Sequence, residues 1–575
     1  MQIYAQSESV KAFEAALSND DTDKVTSAPD WAPAGEITSR SDYANYGIGY
    51  HLLRWPVLVG LTLWVLPLLV IYFGIRLYVS ISEWLFVWRG PRRQLRQNLR
   101  AATTIKEWRY WAAKLDKFLG FNAWRDEDKS TYYDYRTVRN IIRQINALDS
   151  TNQKEAEQVA VILETCVKYN FAGINNPQVY SQCYSGTKKL IDRFNATVIK
   201  KINEVASPEC PLAEETKSVL FKSMSVNLGK SALCLSGGGS FCYRHLGVVR
   251  ILLDLNLLPP IVSGTSGGGL VAALVCTRTD EELKQLINPK IADNLTACWE
   301  PFPDWLVRWW KTGARFDSVD WAERAKFFTL GDLTFKEAYE RTGKILNVST
   351  VPANPQTPAI LCNHITSPDC LIWSALLASA AVPGLLKPVV LMRKTRQGSF
   401  VPYSFGSRWR DGSFRTDIPT QALNTFFNVN YTIVSQVNPH IRLFAYLPRG
   451  QVGRPVIHKY SKSRWRGGFL LATMETSVKL EIKKCLKLMR NLDLMPHVLD
   501  QDFSTVFLQK FEGSVTVWPR IGLRDFLKIL SDPSRDELAA MMLAGEKTVF
   551  PKIAMISHFI GLQHVVENGQ VGICG

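Results

Sequence analysis

At 575 residues the chain exceeds the reach of a single hydrophobic core, so two or more structural units are expected. A composition of 46% hydrophobic and 21% charged residues excludes wholesale disorder, and 17 Trp with 27 Phe load the core or an interface with aromatic surface. The formal charge of +16 points to an anionic partner, nucleic acid or a phospholipid surface, without choosing between them.

Residues 1–50 are net acidic and read as a disordered tail. The next unit, residues 51–90, contains WPVLVGLTLWVLPLLVIYFGI, an uncharged run from Trp55 to Ile75 bounded by Arg54 and Arg76 and long enough to cross a bilayer. Arg76, Arg89, Arg92, Arg93, Arg96 and Arg100 crowd its C-terminal side. The positive-inside rule therefore predicts a single span with the following domain in the cytosol and the acidic tail across the membrane. Two other readings stay open. Pro67 sits mid-segment and apolar residues resume through Trp84 to Trp88, which suits a re-entrant hairpin in a lipid-droplet monolayer; a buried core helix is the blander choice.

Residues 91–206 carry helical periodicity and few strand signals. Leu190, Phe194, Val198, Ile202 and Val205 recur every three or four positions, and Val159, Ile162, Cys166 and Val167 make a second apolar face. No catalytic set assembles there, so packing against the next domain is the expected role.

The catalytic unit is assigned to residues 207–450. SALCLSGGGSFCYRHLGVVRILLDLNLLPPIVSGTSGGGLVAALVCT divides into a strand over Ala232–Leu235, a glycine turn over Ser236–Ser240, a helix over His245–Asn256, a strand over Ile261–Ser263, a sharp turn and a second helix. That βαβ order predicts a parallel sheet with helices on its faces and a site at the carboxyl ends of the strands. Gly264-Thr265-Ser266-Gly267-Gly268 fits G-x-S-x-G, in which serine occupies a strained strand-to-helix turn with its hydroxyl thrust upward. Alone the pentapeptide is weak; between an apolar strand and an Ala/Val/Leu helix it marks Ser266 as the nucleophile. Gly237, Gly238 and Gly239 let backbone N–H groups approach a substrate oxygen, as an oxyanion hole requires. Nucleotide binding is disfavoured, because SGGGSFC is not G-x-G-x-x-G and no lysine follows to make a P-loop.

From about Thr103 to Val566 the chain resembles the patatin-like phospholipase family, in its fungal and plant branch of triacylglycerol lipases with a helical domain of unknown function ahead of the catalytic one. The resemblance is carried by LGFNAWRDED, YSGTKKLIDRF, LCLSGGGS, SGTSGGGLVAAL, SALLASAAVPGLLKPV, RWRDGS and FNVNYTIVSQVNPH. It implies a three-layer α/β sandwich with a mainly parallel sheet and a Ser–Asp dyad in which Asp411 of Asp411-Gly412 is the base. It also implies ester hydrolysis of triacylglycerol or phospholipid with no cofactor and no metal. Asp417 is expected to stabilise a loop, and Ser379 to Pro383 to line or underlie the cleft. The loop after the glycines departs from the family's small or basic residues, with Phe241, Cys242, Tyr243 and Arg244 instead.

His364 and Asp369 fit the H-x-x-x-x-D pattern of glycerolipid acyltransferases, which makes transfer to a lysophospholipid an alternative to hydrolysis; a structural histidine is the plainer reading. A non-catalytic membrane scaffold is a third. Residues 451–575 form a basic, mainly helical region in which Lys479, Lys483, Lys484, Lys487 and Arg490 oppose Val478, Ile482, Cys485 and Met489, a pattern suited to anionic lipid heads. Eleven cysteines, odd in number and without a CxxC pair, suit reduced thiols facing the cytosol. No metal motif and no nucleic-acid reader motif is present. The expected partners are a lipid substrate and a membrane or lipid-droplet surface, with the endoplasmic reticulum as another location and the oligomeric state open.

Overall fold

The structure is a computed structural model. It describes residues 7–18, 47–296, 298, 300, 302–352, 359–403, 408–412, 416–438, 441, 448–457, 465–494 and 509–574.

Ten strands follow in chain order: β1 Lys230–Leu235, β2 Ile261–Gly264, β3 Ile345–Pro352, β4 Ile360–Cys362, β5 Val389–Val390, β6 Met392–Lys394, β7 Phe400–Pro402, β8 Arg408–Asp411, β9 Val429–Ser435 and β10 Val515–Val517. The main sheet runs β10-β9-β1-β2-β3-β8-β5, with β4 also on β3, and β6 and β7 form a separate hairpin. From β10 to β3 every pairing is parallel, whereas β4 and β8 lie antiparallel to β3. Alternate side chains of β1 serve opposite faces, as a pleated strand requires. Leu233 and Leu235 enter the main core, while Ala232 and Cys234 enter a smaller one closed by Leu423 and Phe427 of the helix Thr420–Phe427. Helices on both faces make three layers.

The expected strands and helices of the nucleophile region form with small shifts: β1 begins at Lys230, the next helix spans Arg244–Asp254 and β2 reaches Gly264. The boundary expected at residue 450 is crossed by the sheet itself. Val515–Val517 pairs with β9, and the helix Arg535–Val549 packs on Arg244–Asp254 so closely that a Cβ at Gly247 would stand 1.8 Å from the Met542 carbonyl. That helix opens with the capping box expected at Ser534 and Glu537. The final helix, Ile553–Cys574, stacks Phe559 on Tyr431 of β9 at 4.2 Å and is also in contact with Lys189–Ala206 and Glu214–Leu228.

The helical region joins the same body. Lys188, buried, donates to the carbonyls of Trp124 (2.5 Å), Glu127 (2.7 Å) and Lys129 (3.3 Å), so YSGTKKL caps the chain ends left open in NAWRDED. Asp116 accepts the N–H groups of Tyr184 and Ser185 at 2.9 and 2.8 Å. These contacts are structural, in keeping with a packing role.

Two expectations about the amino-terminal part change. Within the acidic tail, Glu8–Ser18 is a helix with Val10 and Phe13 fully buried. Ser9 Oγ donates to Asp332 (2.7 Å), Ser7 N–H donates to Glu323 (2.8 Å), and Phe13 meets Trp373 edge-on at 5.3 Å. Net charge concealed this short amphipathic stretch. Second, the apolar segment is one helix, Ile48–Ser82, that passes through Pro56 and Pro67 without reversing, and it ends in a π turn over Glu83–Val87. A hairpin folded at Pro67 is therefore not what forms. Instead the helix is long and apolar enough to cross a membrane, and most of its surface is exposed. Arg535–Gly572 meets the same length and composition test, but is largely buried as a core element.

Along one side the apolar helix is partnered by Gly468–Asn491. The two run antiparallel, because Gly467 abuts Val79 at one end while Tyr50 donates to the Asp493 carbonyl (2.7 Å) at the other. A stripe of Tyr72, Ile75 and Val79 is buried against this partner, and Ile482, Cys485 and Met489 are buried on its side as the periodicity predicts. Arg466 makes a two-pronged pair with Glu83 at 2.8 and 3.2 Å.

Candidate active site

Ser266 lies between β2 and the helix Gly267–Cys276 with φ 52° and ψ −127°, a backbone conformation costing about 1–3 kcal/mol for a residue with a side chain. The turn is tight enough to require its glycines. A Cβ at Gly264 would stand 2.5 Å from the Gly268 carbonyl oxygen, and one at Gly268 2.3 Å from that of Leu235. Strain is held by the surroundings: Ser266 N–H donates to Ser379 Oγ (2.9 Å), and Thr265 Oγ1 donates to the Asp417 carbonyl (2.9 Å). Ser266 remains partly exposed while Thr265 and Gly267 are buried.

Asp411 ends β8, opposite Thr350 of β3, and is 1% exposed. Gly264 pairs with Val348, two residues before Thr350, so Ser266 and Asp411 stand at one level of the sheet with β3 between their strands. Two strand spacings amount to about 10 Å between backbones. The end of one buried helix, Ile372–Ala380, touches both: Ser379 accepts from Ser266, and the Ala381 carbonyl accepts from Asp411 N–H at 3.3 Å. Gly412 presses on β3, where a Cβ would lie 2.4 Å from the Ser349 carbonyl oxygen.

The glycine loop follows β1 and faces the elbow. A Cβ at Gly237 would meet Ser266 Cβ at 3.2 Å, and one at Gly267 would meet the Gly239 carbonyl at 2.9 Å. The three glycines are not equivalent donors. Gly237 N–H donates to Asp417 Oδ1 (3.1 Å). Gly238 and Gly239 have positive φ, 146° and 58°, and no hydrogen bond from their N–H groups is made among the described residues. Gly267 N–H, at the first position of the elbow helix, is in the same condition and carries the helix's positive end.

Asp417 is the organising carboxylate beneath this loop. Besides Gly237 it accepts from Asn438 Nδ2 (2.7 Å) and Gln436 Nε2 (3.2 Å), and burial raises its carboxyl to about 6 against those three donors. The expectation of a loop-stabilising role is met in these contacts. Ser240 is fastened from the C-terminal part, its N–H donating to the Ile529 carbonyl (2.9 Å) and its hydroxyl to that of Lys528 (2.8 Å). Phe241, Cys242, Tyr243 and Arg244 are all buried, so the unusual residues after the glycines pack inward and do not line a cleft. His245 donates from Nε2 to the Ser236 carbonyl (3.0 Å) and pairs through Nδ1 with Ser435 Oγ (2.8 Å); burial lowers it to about 4, so it is a neutral strut.

His364 is placed elsewhere. It follows β4, whose last residue pairs with Val348 while the chain heads toward the start of β3, and its ring stacks between Tyr339 (4.3 Å) and Phe427 (5.8 Å). Both rings belong to helices that lead into the amino ends of strands. His364 and Asp369 make no hydrogen bond with each other among the described residues. The stacked ring packs as a structural histidine would, but its buried Nδ1 makes no hydrogen bond among the described residues, so it is not the satisfied residue expected.

A serine on a strand-to-helix elbow, a glycine loop after the parallel strand on one side and a buried aspartate two strands away on the other define a serine-hydrolase-type α/β architecture. Residues 233–424 match the patatin-like phospholipase model, and residues 85–226 match a domain of unknown function, DUF3336. A patatin-like phospholipase domain-containing protein of Yarrowia lipolytica is 54% identical over 92% of this chain and 64% of its own length. One from Aspergillus fumigatus is 46% identical over 98% of this chain and 82% of its own. The chain belongs to the patatin-like phospholipase domain-containing proteins. It spans about two thirds of the Yarrowia relative. Among solved structures, VipD from Legionella pneumophila aligns with 58% of the chain at 12% identity and a TM-score of 0.28, a likeness too slight to build on.

Sequence reasoning pointed to the free N–H groups at Gly267, where the elbow helix begins, but did not foresee Ser379 as the acceptor of the Ser266 N–H or the engagement of Gly237 by Asp417. The only signal for Ser379 was the SALLASAAVPG motif, which marks a segment without assigning an atom.

Proposed function

We propose that this chain is a lipid acyl hydrolase that cleaves glycerolipid esters, triacylglycerol or phospholipid, through an acyl-serine intermediate at Ser266. The observation that carries the reading is the strained Ser266 backbone set directly against the glycine loop. Asp411 takes the hydroxyl proton as Ser266 Oγ bonds to the ester carbonyl carbon, and returns it to the departing alcohol as the carbon–oxygen ester bond breaks. Water, deprotonated by the same carboxylate, then attacks the acyl-serine and releases the fatty acid. Negative charge on the carbonyl oxygen is met by the N–H groups of Gly238, Gly239 and Gly267, with Gly237 holding the loop through Asp417. The dyad needs no metal and no cofactor.

Purified wild type and Ser266→Ala, given neutral glycerides and phospholipids in parallel, test this. Loss of all esterase activity by a folded Ser266→Ala is expected, with Asp411→Asn down by about 100-fold or more. Equal turnover by wild type and Ser266→Ala overturns it.

Attachment to a membrane or lipid-droplet surface follows from the exposed apolar helix Ile48–Ser82. Two observations favour a helix held from one side over the single span expected above. The helix Glu8–Ser18 docks on the catalytic body, and residues 19–46 hold no apolar stretch to recross a bilayer. The partner helix also carries Glu481, Lys483, Lys484 and Lys487, each costing about 2.5–3.5 kcal/mol at the centre of a bilayer. A pair of helices lying in the interface of one leaflet avoids both difficulties.

A further inference from the structure

A cavity of about 530 Å³ opens where the end of the apolar helix, the helical region and the C-terminal part meet. Its wall carries Arg96, Arg100, Arg454, Arg466, Arg520 and Lys547 against a single carboxylate, Glu83. It shares no lining residue with Ser266, Asp411 or the glycine loop. Glu83 is engaged by Arg466, and Lys547 is held by the carbonyls of Arg100 and Ala101 at 3.3 and 3.2 Å. Arg96 lies 3.8 Å over the Trp88 ring. Among the described residues no carboxylate comes within ion-pair distance of Arg96, Arg100, Arg454 or Arg520.

Such a set repels itself. Burial first, and neighbouring arginines after it, lower Arg96 and Arg454 to about 10. Lys552, buried, is lowered to about 7 by burial and by Arg454. Guanidinium groups gathered in a partly desolvated hollow, with Glu83 the one carboxylate in the wall among the described residues, make a site for an anionic ligand. Guanidinium forks suit phosphate oxygens, which they grip bidentately. Position adds to chemistry: Glu83 and Trp88 directly follow the apolar helix, and Arg466 precedes the helix lying along it, so the cavity sits where an apolar surface gives way to a polar one.

We propose that this cavity binds a multiply charged phosphate group, carried either by the head of an anionic phospholipid or by a soluble polyphosphate. The lipid source rests on the membrane attachment argued above; the soluble source does not.

The 575-residue chain is tested by thermal unfolding with myo-inositol hexakisphosphate, and by flotation with phosphatidylcholine vesicles with and without phosphatidic acid. The variants are Arg454→Gln, Arg520→Gln and the double. Wild type should bind one ligand or both, with about five-fold loss for each arginine removed and about 25-fold for the double. Without ligand the variants should melt no lower than wild type, because removing a charge relieves repulsion; a purely structural role would lower the midpoint. Should Arg454→Gln fail to fold, Arg100→Gln carries the same comparison. Phosphatidic acid binding that the hexakisphosphate displaces identifies a head-group site, and hexakisphosphate binding with vesicle binding equal in wild type and double variant identifies a soluble ligand. No binding, or equal affinity of wild type and double variant for both ligands, overturns the proposal. Ser266→Ala should bind as wild type does, so failure here and failure of the hydrolase reading are told apart.

Discussion

Asp417 and Asp411 are two buried carboxylates six residues apart with different occupations. Asp411 closes a strand at the level of Ser266, whereas Asp417 spends its oxygens on three donors and so fixes Gly237. Burial raises the Asp417 carboxyl from 3.8 to about 6. Because the folded value lies above the unfolded one, the stability this group contributes is complete below about 3.8 and is lost as pH rises through about 6, on the order of 3 kcal/mol. Asp417→Asn carries no charge to desolvate. Its melting midpoint relative to wild type should therefore shift in its favour between pH 4 and pH 7, and a gap that stays constant over that range counts against the assignment. Turnover should nevertheless fall, since the new amide must point an N–H at Gly237 N–H or at the amides of Gln436 and Asn438.

Among the elements, the contact between Arg244–Asp254 and Arg535–Val549 sets the position of the glycine loop, because the first of these helices begins where the loop ends. Its closeness depends on Gly247 and Gly545, whose added Cβ atoms would stand 1.8 and 2.2 Å from the backbone oxygens of Met542 and Arg244. Gly247→Ala must push the helices apart, and should lower stability by about 1–3 kcal/mol together with kcat. Gly561→Ala offers the opposite sign in the helix Ile553–Cys574. There the nearest atom to the new Cβ is Ile199 Cδ1 at 4.0 Å, so the gain in helix propensity, about 0.5–1 kcal/mol, should appear as a higher melting midpoint. Thermal unfolding and turnover of the two variants side by side check both signs.

For the whole molecule, three pieces distant in sequence, Glu8–Ser18, Ile48–Ser82 and Gly468–Asn491, are set against the sheet body or against one another, and the second of them leaves most of its apolar surface exposed. The one-sided attachment can be checked in sealed microsomes with epitopes placed in residues 19–46 and in the exposed turn between β6 and β7. Protease added outside, without detergent, should remove both. Protection of the first epitope alone would restore the single span.

The elbow, the glycine loop, the βαβ order and the apolar helix were legible in the sequence because each is a local matter: glycines at fixed spacing around a serine, an apolar run of sufficient length, a period of three to four. The assignment of Asp411 as base rests on family resemblance alone, since an Asp-Gly pair has no local signature separating a base from a turn. What tertiary structure alone decided involves partners hundreds of residues apart. Ser379 accepts from the elbow and Asp417 from Gly237, while β10 completes a sheet begun nearly 300 residues earlier, the arginines of four segments crowd one cavity, and the helix Glu8–Ser18 buries Val10 and Phe13. Spacing along a chain encodes the torsions and periodicity of neighbouring residues. It does not encode which distant donor will reach a given acceptor, and that depends on how buried surfaces meet once the sheet and its helices have packed.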